Sequence, residues 1–191
     1  MEQLIKKIKS SIHLSAAAEA FLYAISKEKT LAKGDVLIHQ GQGVKKTYFV
    51  IDGCLRAFCT DKSGKEHTLQ FAITGWWISD FIALFNNEPA TLTVECIKGA
   101  KVIEFNATKL NSIYSQFPEF EAFQRKNLEQ HLVSLNKRIL NQLQLTASER
   151  YGLFVKQYKD IEQFAPNYHI ASYLGITQQS LSRIRVERAK K

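Results

Sequence analysis

Near the C-terminus, residues 167–184 read NYHIASYLGITQQSLSRI, the pattern of two short helices joined by a tight turn. Helices that cross steeply through such a turn need a small residue where they touch, and Ala171 supplies it. The turn needs a residue that tolerates a positive φ, and Gly175 does so at no steric cost, while Thr177 has a side chain that can cap the second helix. The apolar residues that the two helices would share are Ile170, Leu174, Ile176, Leu181 and Ile184. All these positions agree, and together they predict a helix-turn-helix.

The second helix of this unit carries side chains suited to reading DNA. If Leu181 and Ile184 face the core, the residues on the outer side or its edge are Gln178, Gln179, Ser182 and Arg183. In the major groove, a Gln side chain can make two hydrogen bonds to adenine, and an Arg side chain can make two to guanine. The alternative is a helical hairpin that binds another protein and has a merely solvated polar face.

Other residues of the unit are candidates for contact with phosphates. On and beyond the second helix they are Ser180, Arg185, Arg188, Lys190 and Lys191. On the first helix they are Tyr168, His169 and Tyr173, although packing is an equal expectation for the two tyrosines.

Positive charge is concentrated at the same end of the chain. The 191 residues have a net charge of +8, and residues 146–191 hold eight basic and four acidic residues. About a quarter of the chain thus carries half of the excess, which suggests a polyanion as partner. The segment begins with Thr146-Ala147-Ser148-Glu149, a capping box that predicts the start of a helix and of a domain.

Residues 117–145 predict one long helix before this unit. Pro118 is tolerated at a helix start, and the rest of the segment has neither glycine nor a further proline. Apolar residues recur at helical intervals: Phe120, Phe123, Leu128, Leu132, Leu135, Ile139 and Leu143. A rod of roughly 40 Å cannot bury this stripe on a small β-module alone, so we predict pairing with its twin in a homodimer. The alternative is a core helix of the monomer.

Residues 30–105 have a different texture, with short β-rich runs between turn signals. Residues 31–38 predict a turn that leads into a strand, and the further runs cover residues 47–51, 54–60, 67–71, 92–97 and 101–105. Asp52-Gly53 is expected to end one strand, residues 61–64 to form a hairpin turn, and Lys98-Gly99 to separate the last two strands. This spacing predicts an antiparallel barrel or sandwich. Helices are expected on either side of it, with Ser15 and Asn106 as N-caps.

Several classes of protein are not expected. No apolar run is long enough for a membrane span, and the N-terminus has no apolar secretory core, so we expect a cytoplasmic protein. Three cysteines without a CxxC pair favour small buried side chains over a disulfide framework or zinc site, with a redox sensor as the alternative. The histidines are scattered, so neither haem nor another cofactor is expected. No catalytic motif is found, and we do not expect an enzyme.

A β-rich module, a long helix and a helix-turn-helix together resemble the Crp/Fnr family of transcription regulators, in the short form common in Bacteroidetes. The resemblance covers nearly the whole chain and is most specific at residues 33–38, at Asp52-Gly53 and at residues 169–183. It implies an α+β fold. A jelly-roll-like antiparallel β-roll of the cyclic nucleotide-binding type, with flanking helices, would form a sensor domain at residues 1–116. A dimerisation helix at residues 117–145 and an all-α helix-turn-helix domain at residues 146–191 would follow.

The resemblance also implies functional roles. Gln178, Gln179 and Arg183 would read bases, and effector binding to the β-roll would reorient the DNA-binding domains. The family's nucleotide cassette is a Gly-Glu-Leu turn followed by an Arg-Ser/Ala or Arg-Thr pair. The matching positions, and so the candidate effector pocket, are Ser79, Asp80, Phe81, Ala90 and Thr91.

The chain departs from the family pattern in two places. No Arg or Lys occurs between Lys65 and Lys98, so the phosphate of cAMP would lack its charge partner. That partner is worth about 1.5–3 kcal/mol, or roughly tenfold or more in affinity, and we expect weak or no binding of cAMP. Asp80 could still take a ribose hydroxyl, although with a shorter reach. The sequence also stops soon after the second helix, and no C-terminal wing is expected.

The sequence therefore predicts a dimeric, sequence-specific regulator that binds double-stranded DNA and whose small-molecule effector is unknown and not cAMP. The alternative is a ligand-binding or protein-interaction module with a non-functional helix-turn-helix.

Overall fold

The β-rich segment forms a six-stranded antiparallel sheet in the computed structural model, which describes residues 1–189. In chain order the elements are α1 Glu2–Lys9, α2 Ala16–Ile25, β1 Ser26–Leu31, β2 Val36–Ile38, β3 Lys46–Thr60, β4 Glu66–Ile73, β5 Trp77–Ile78, α3 Phe81–Asn86, β6 Thr93–Asn106, α4 Ala107–Gln116, α5 Glu119–Gln144, α6 Ala147–Gln157, a 3-10 turn Ile161–Gln163, α7 Asn167–Leu174 and α8 Gln178–Ala189. The main path through the sheet is β1-β6-β3-β4, which places β4 at an edge. The α+β fold is confirmed.

The two longest strands pass through the glycines that were expected to end them. β3 runs through Asp52-Gly53 and β6 through Lys98-Gly99, and the pairing register of the two strands shifts there. Gly53 has φ 89°, and a Cβ on it would lie 2.4 Å from the carbonyl oxygen of Gly99. The expectation that these glycines break the strands is wrong, because they form a bulge in which the two backbones approach closely.

β1 was not predicted from the sequence. It pairs with β6 along its whole length, from Ser26 opposite Phe105 to Leu31 opposite Ala100. Its residues Lys27, Glu28 and Lys29 lie on an edge strand and are partly solvated, so the run lacks the apolar alternation that reveals a strand.

Two apolar clusters belong to the N-terminal part of the chain. The first fills the inside of the sheet and includes Val50, Leu55, Ile78, Val94 and Val102. The second joins the sheet's Phe49, Ile103 and Phe105 to α1, α2, α4 and the start of α5. Two predicted N-caps are confirmed: Ser15 accepts a hydrogen bond from the Ala18 N–H, and Asn106 accepts one from the Lys109 N–H.

Helix α5 has the predicted extent and begins after Pro118. Phe120 and Phe123 at its start are buried in the second cluster. The rest of the predicted stripe is exposed in the single chain: Leu128, Leu132, Leu135, Ile139 and Leu143. Within the described residues, no helix is long and apolar enough to span a membrane.

The C-terminal helices share a third cluster with the sheet. Helix α6 begins with the predicted capping box, in which Thr146 and Glu149 bond each other's backbone N–H. Phe154, Tyr158, Ile170 and Leu181 from these helices pack in one cluster with residues of β3, β4 and β6. The sheet residues of that cluster are Cys54, Phe71 and Ile97. The outer face of the sheet therefore completes the core of the C-terminal helices.

Candidate nucleic-acid interface and effector site

Helices α7 and α8 form the predicted helix-turn-helix. Gly175 ends α7 with φ 68°, and its N–H donates to the Ser172 carbonyl while the Ile176 N–H donates to the Ala171 carbonyl. These bonds satisfy carbonyls at the end of α7 and turn the chain sharply. Thr177 Oγ1 then accepts from the Ser180 N–H at 3.1 Å, which caps the next helix as expected.

Four of the predicted DNA-reading residues come together on one face of α8. Leu181 and Ile184 are buried against the neighbouring helices, which fixes the rotation of α8 about its axis. In the first half of α8 the exposed residues are then Gln178, Gln179, Ser182 and Arg183. Within residues 1–189, none of these four side chains is hydrogen-bonded to another residue of the chain. Their donors and acceptors are therefore available to a partner.

The other two arginines of α8 have contacts within the chain. The Arg185 guanidinium donates to Glu162 Oε1 at 2.8 Å and to Asn167 Oδ1 at 2.6 Å, so it joins three segments of the helical unit. Arg188 is exposed and lies over the ring of Tyr151, 5.7 Å from its centre. Lys190 and Lys191 lie outside the described residues.

Ser180 and Tyr168, two other candidates for phosphate contact, differ in whether their hydroxyls are already hydrogen-bonded within the described part of the chain. The Ser180 hydroxyl accepts a hydrogen bond from Thr177 Oγ1 at 3.0 Å, within the cap of α8. Tyr168 is exposed near the start of α7.

His169 and Tyr173, the other candidate phosphate donors on α7, face the sheet instead of solvent. His169 is buried, and its Nε2 lies 3.9 Å from Glu66 and 3.8 Å from Glu95. Burial, together with the nearby positive charges of Arg56 and Lys33, lowers the pKa of His169 to about 3. The imidazole is therefore neutral at physiological pH. Tyr173 packs against Phe71, with ring centres 5.4 Å apart.

Arg56 is a buried cation that sequence reasoning missed. It lies on β3 between Leu55 and Ala57, which point into the sheet's interior, so its own side chain points toward α7. Its Nη2 is 2.6 Å from Glu66, and its Nε donates to Glu95 at 2.8 Å. The signal that could have revealed it is a lone arginine within an apolar strand, with acidic residues on two other strands.

The candidate effector pocket centres on Asp80, which is fully buried. Asp80 Oδ1 accepts from the Ala83 N–H at 3.1 Å and so caps α3. Asp80 Oδ2 accepts from the Thr91 N–H at 2.6 Å, the Thr91 hydroxyl at 2.9 Å and the Leu92 N–H at 2.8 Å. Burial opposes ionisation of Asp80, but these hydrogen bonds outweigh it and lower the pKa of the carboxyl. The carboxylate is ionised, and with four bonds its acceptor sites are filled.

The neighbours of Asp80 are also held by the protein. The Ser79 hydroxyl donates to the Lys46 carbonyl at 2.8 Å. The backbone of Ala90 exchanges two hydrogen bonds with the loop at Gly41 and Gln42, each of 2.7 Å. Phe81 stacks on Phe85 at the surface of α3. The five predicted pocket residues thus lie together, but the polar groups of Ser79, Asp80 and Thr91 are paired with one another or with the backbone.

Comparison with known proteins adds independent findings. Residues 28–117 match the cyclic nucleotide-binding domain family. The transcriptional activator protein Anr of Pseudomonas protegens is 23% identical over 174 residues, covering 84% of this chain and 69% of Anr.

Solved structures share the fold over most of the chain. FixK2 from Bradyrhizobium japonicum has a TM-score of 0.71 at 17% identity, covering 87% of this chain and 85% of FixK2. CLP, a c-di-GMP-responsive global regulator of Xanthomonas campestris, has a TM-score of 0.70 at 12% identity and covers 92% of each chain.

Fold and site together define an architecture: a β-module that matches the cyclic nucleotide-binding domain family, joined by a long helix to a helix-turn-helix. The domain match and the similarity to Anr support the resemblance of the chain to the Crp/Fnr family of transcriptional regulators.

Proposed function

We propose that the protein is a dimeric transcription regulator that reads the major groove of DNA with α8. The observation that carries this proposal is the contrast between two sets of side chains on that helix. Gln178, Gln179, Ser182 and Arg183 are exposed and uncommitted, whereas Arg185 is tied into the helical unit. A rigid helix with unpaired amides and a guanidinium on its outer face has the chemistry of direct base readout.

The exposed stripe on α5 supports the dimer. Leu132 is 59% exposed and Ile139 57%, and both lie on the same side of a helix 26 residues long. Pairing two copies of α5 along this stripe would bury these side chains in the manner of a coiled coil. A two-fold dimer presents α8 twice, as the reading of a palindromic site requires.

The sensor module is not proposed to bind cAMP. Asp80 would have to give up bonds to its own backbone before it could accept a ribose hydroxyl. The segment between Lys65 and Lys98 also offers no cation to the phosphate. The effector, where one acts, is therefore proposed to be a compound other than cAMP.

Selection of duplexes from a random pool tests the proposal. The purified protein is expected to enrich a palindromic site, and its affinity should fall steeply with salt. About six phosphate contacts would cost roughly a thousandfold between about 50 and 200 mM salt. Arg183→Ala should abolish most of the sequence preference. Lys62→Ala, which removes the same charge from the exposed β3–β4 turn, should leave it intact.

The opposite outcome is equally clear. If no duplex is enriched at any salt concentration, the protein is an interaction or ligand-binding module with a non-functional helix-turn-helix.

A further inference from the structure

Helix α7 packs against the edge strand β4, and the Ser172 side chain makes the two hydrogen bonds that a neighbouring strand would otherwise make. Ser172 Oγ accepts from the Thr68 N–H at 2.8 Å and donates to the Glu66 carbonyl at 2.9 Å. Both backbone groups belong to β4, and as an edge strand β4 offers its outward N–H and C=O groups to whatever lies beside it. One hydroxyl therefore satisfies a donor and an acceptor of the sensor module from within the DNA-reading unit.

A second side chain ties the same edge to the long helix. The β3–β4 register shifts so that Leu69 is the extra residue of a bulge, and its carbonyl accepts a hydrogen bond from Arg138 of α5. The Arg138 guanidinium also lies over the face of Tyr173 of α7, 4.4 Å from the ring centre. Arg138 thus joins α5 to the sheet and to α7.

Two further contacts, one made by Glu66 and one by Tyr173, strengthen the packing of α7 on β4. The Glu66 carboxylate, from the same edge, pairs with Arg56 while facing His169 of α7. Tyr173 also meets Tyr158, with hydroxyls 3.3 Å apart. The arrangement of α7 on β4 is consequently set by directional bonds as well as by apolar packing.

We propose that Ser172 and Arg138 are positioning residues that set the distance and rotation between the two DNA-reading helices of the dimer, and so the half-site spacing of the operator. This inference rests on the proposed DNA-binding function. Helix α5 would carry the two-fold axis, while α7 carries α8 through the turn at Gly175. A connection through Leu145 and Thr146 alone would let the reading unit pivot. The apolar cluster shared with the sheet restricts that pivot, and the directional contacts of Ser172 and Arg138 fix the rotation that the cluster leaves.

The consequence can be measured on DNA. Moving two half-sites apart by two base pairs rotates one against the other by about 70°. A fixed pair of reading helices should therefore bind the best spacing at least about tenfold more tightly than a site two base pairs longer or shorter. Looser units should bind all spacings more evenly.

The experiment uses the full-length protein and the half-site obtained by selection, placed as inverted repeats at a series of spacings. Wild type, Ser172→Ala and Arg138→Ala are compared, with Lys137→Ala as a matched control, since Lys137 is the exposed neighbour that points away from the apolar stripe of α5. Thermal unfolding and sedimentation are measured for each variant to confirm a folded dimer. Ser172→Thr, which retains the hydroxyl, serves as a rescue.

The expected result is a sharp spacing preference for wild type, Lys137→Ala and Ser172→Thr. For Ser172→Ala and Arg138→Ala the preference should shrink to less than about threefold. Folded dimeric variants that keep the wild-type spacing profile would overturn the inference, as would a wild type that binds every spacing equally. If no duplex of any spacing is bound, the proposed function itself fails and the inference fails with it. Arg138→Ala provides the decisive comparison if Ser172→Ala does not fold.

Discussion

Asp80 Oδ2 accepts a hydrogen bond of 2.6 Å from the backbone N–H of Thr91, eleven residues further along the chain. In this way one carboxylate closes the segment in which related proteins would be expected to hold a nucleotide. The same oxygen also bonds Leu92, and the other oxygen caps α3. Asp80 therefore stabilises the structure of the candidate pocket from inside.

Replacement of Asp80 by Ala should lower the free energy of unfolding by about 2–4 kcal/mol, because it removes a helix cap and leaves buried N–H groups unpaired. Urea titration monitored by circular dichroism measures the loss. Titration calorimetry of the wild type with cAMP should show no binding in the low-micromolar range. A low-micromolar dissociation constant would contradict the structural role assigned to Asp80.

The stability of the protein should fall below neutral pH because of His169. Its pKa is lowered to about 3 in the folded chain, against about 6.5 when unfolded. The contribution of the neutral imidazole is therefore complete above about pH 6.5 and is lost progressively as the pH falls toward 3. Between pH 7 and pH 5 the loss should reach up to about 2 kcal/mol.

Urea titrations at a series of pH values would measure this slope. His169→Gln, which does not titrate, serves as the comparison and should show a clearly flatter dependence. Equal slopes for the two proteins would mean that His169 can be protonated in place.

Charges on the exposed stripe of α5 should separate the two protomers. Leu132→Glu together with Ile139→Glu places carboxylates where apolar pairing is proposed. The dimer's dissociation constant should rise at least about a hundredfold, which corresponds to about 2.7 kcal/mol and is less than the burial of two such side chains contributes. Analytical ultracentrifugation gives the constant. Ser134→Glu, on the opposite side of the helix, should remain dimeric, and a double variant that does so as well would exclude this stripe as the interface.

Two arginines of α8, two residues apart, should respond differently to truncation. Arg183→Ala should leave stability within about 0.5 kcal/mol of wild type, since the side chain is exposed, but should cost about 1–3 kcal/mol in DNA binding. Arg185→Ala should instead lower stability by about 1–2 kcal/mol, because Glu162 and Asn167 lose their partner. Parallel unfolding and binding titrations separate the two effects. A reversed pattern would mean that Arg185 leaves Glu162 to contact DNA.

The parts of the fold that the sequence predicted are those specified locally. Gly175, Thr177 and the capping box at Thr146 each act on residues within about one turn, so a few letters are enough to place them. The strand β1 escaped because its charged edge residues hide the alternation, and β3 was divided at Gly53 because a glycine in a bulge looks like a glycine in a turn.

The contacts of the candidate site were less predictable, because they join residues far apart in the chain. From the sequence alone, Ser172 resembles a solvent-facing helix residue. Its contact with the Glu66 carbonyl of β4 joins positions that lie 106 residues apart. The sequence showed that an acidic residue stands at position 80. It could not show whether the carboxylate oxygens of Asp80 are free or hydrogen-bonded, because that depends on the path of residues 90–92. Arg138, on a helix expected to face a second copy, gave no sign of its contact with the sheet.

The cluster that unites Phe71, Cys54 and Ile97 of the sheet with Phe154 and Tyr158 of the C-terminal helices bears on how such a chain can be recombined. A fragment starting at Ala147 would keep α8, but it would expose to solvent the aromatic rings that the sheet covers in the whole chain. We therefore expect that the helices from Ala147 onward cannot be fused to a foreign dimerisation domain and remain folded, unless the sheet is included in the fusion. Whatever the β-roll binds, the sheet has to stay with the C-terminal helices, because its outer face forms one wall of their core.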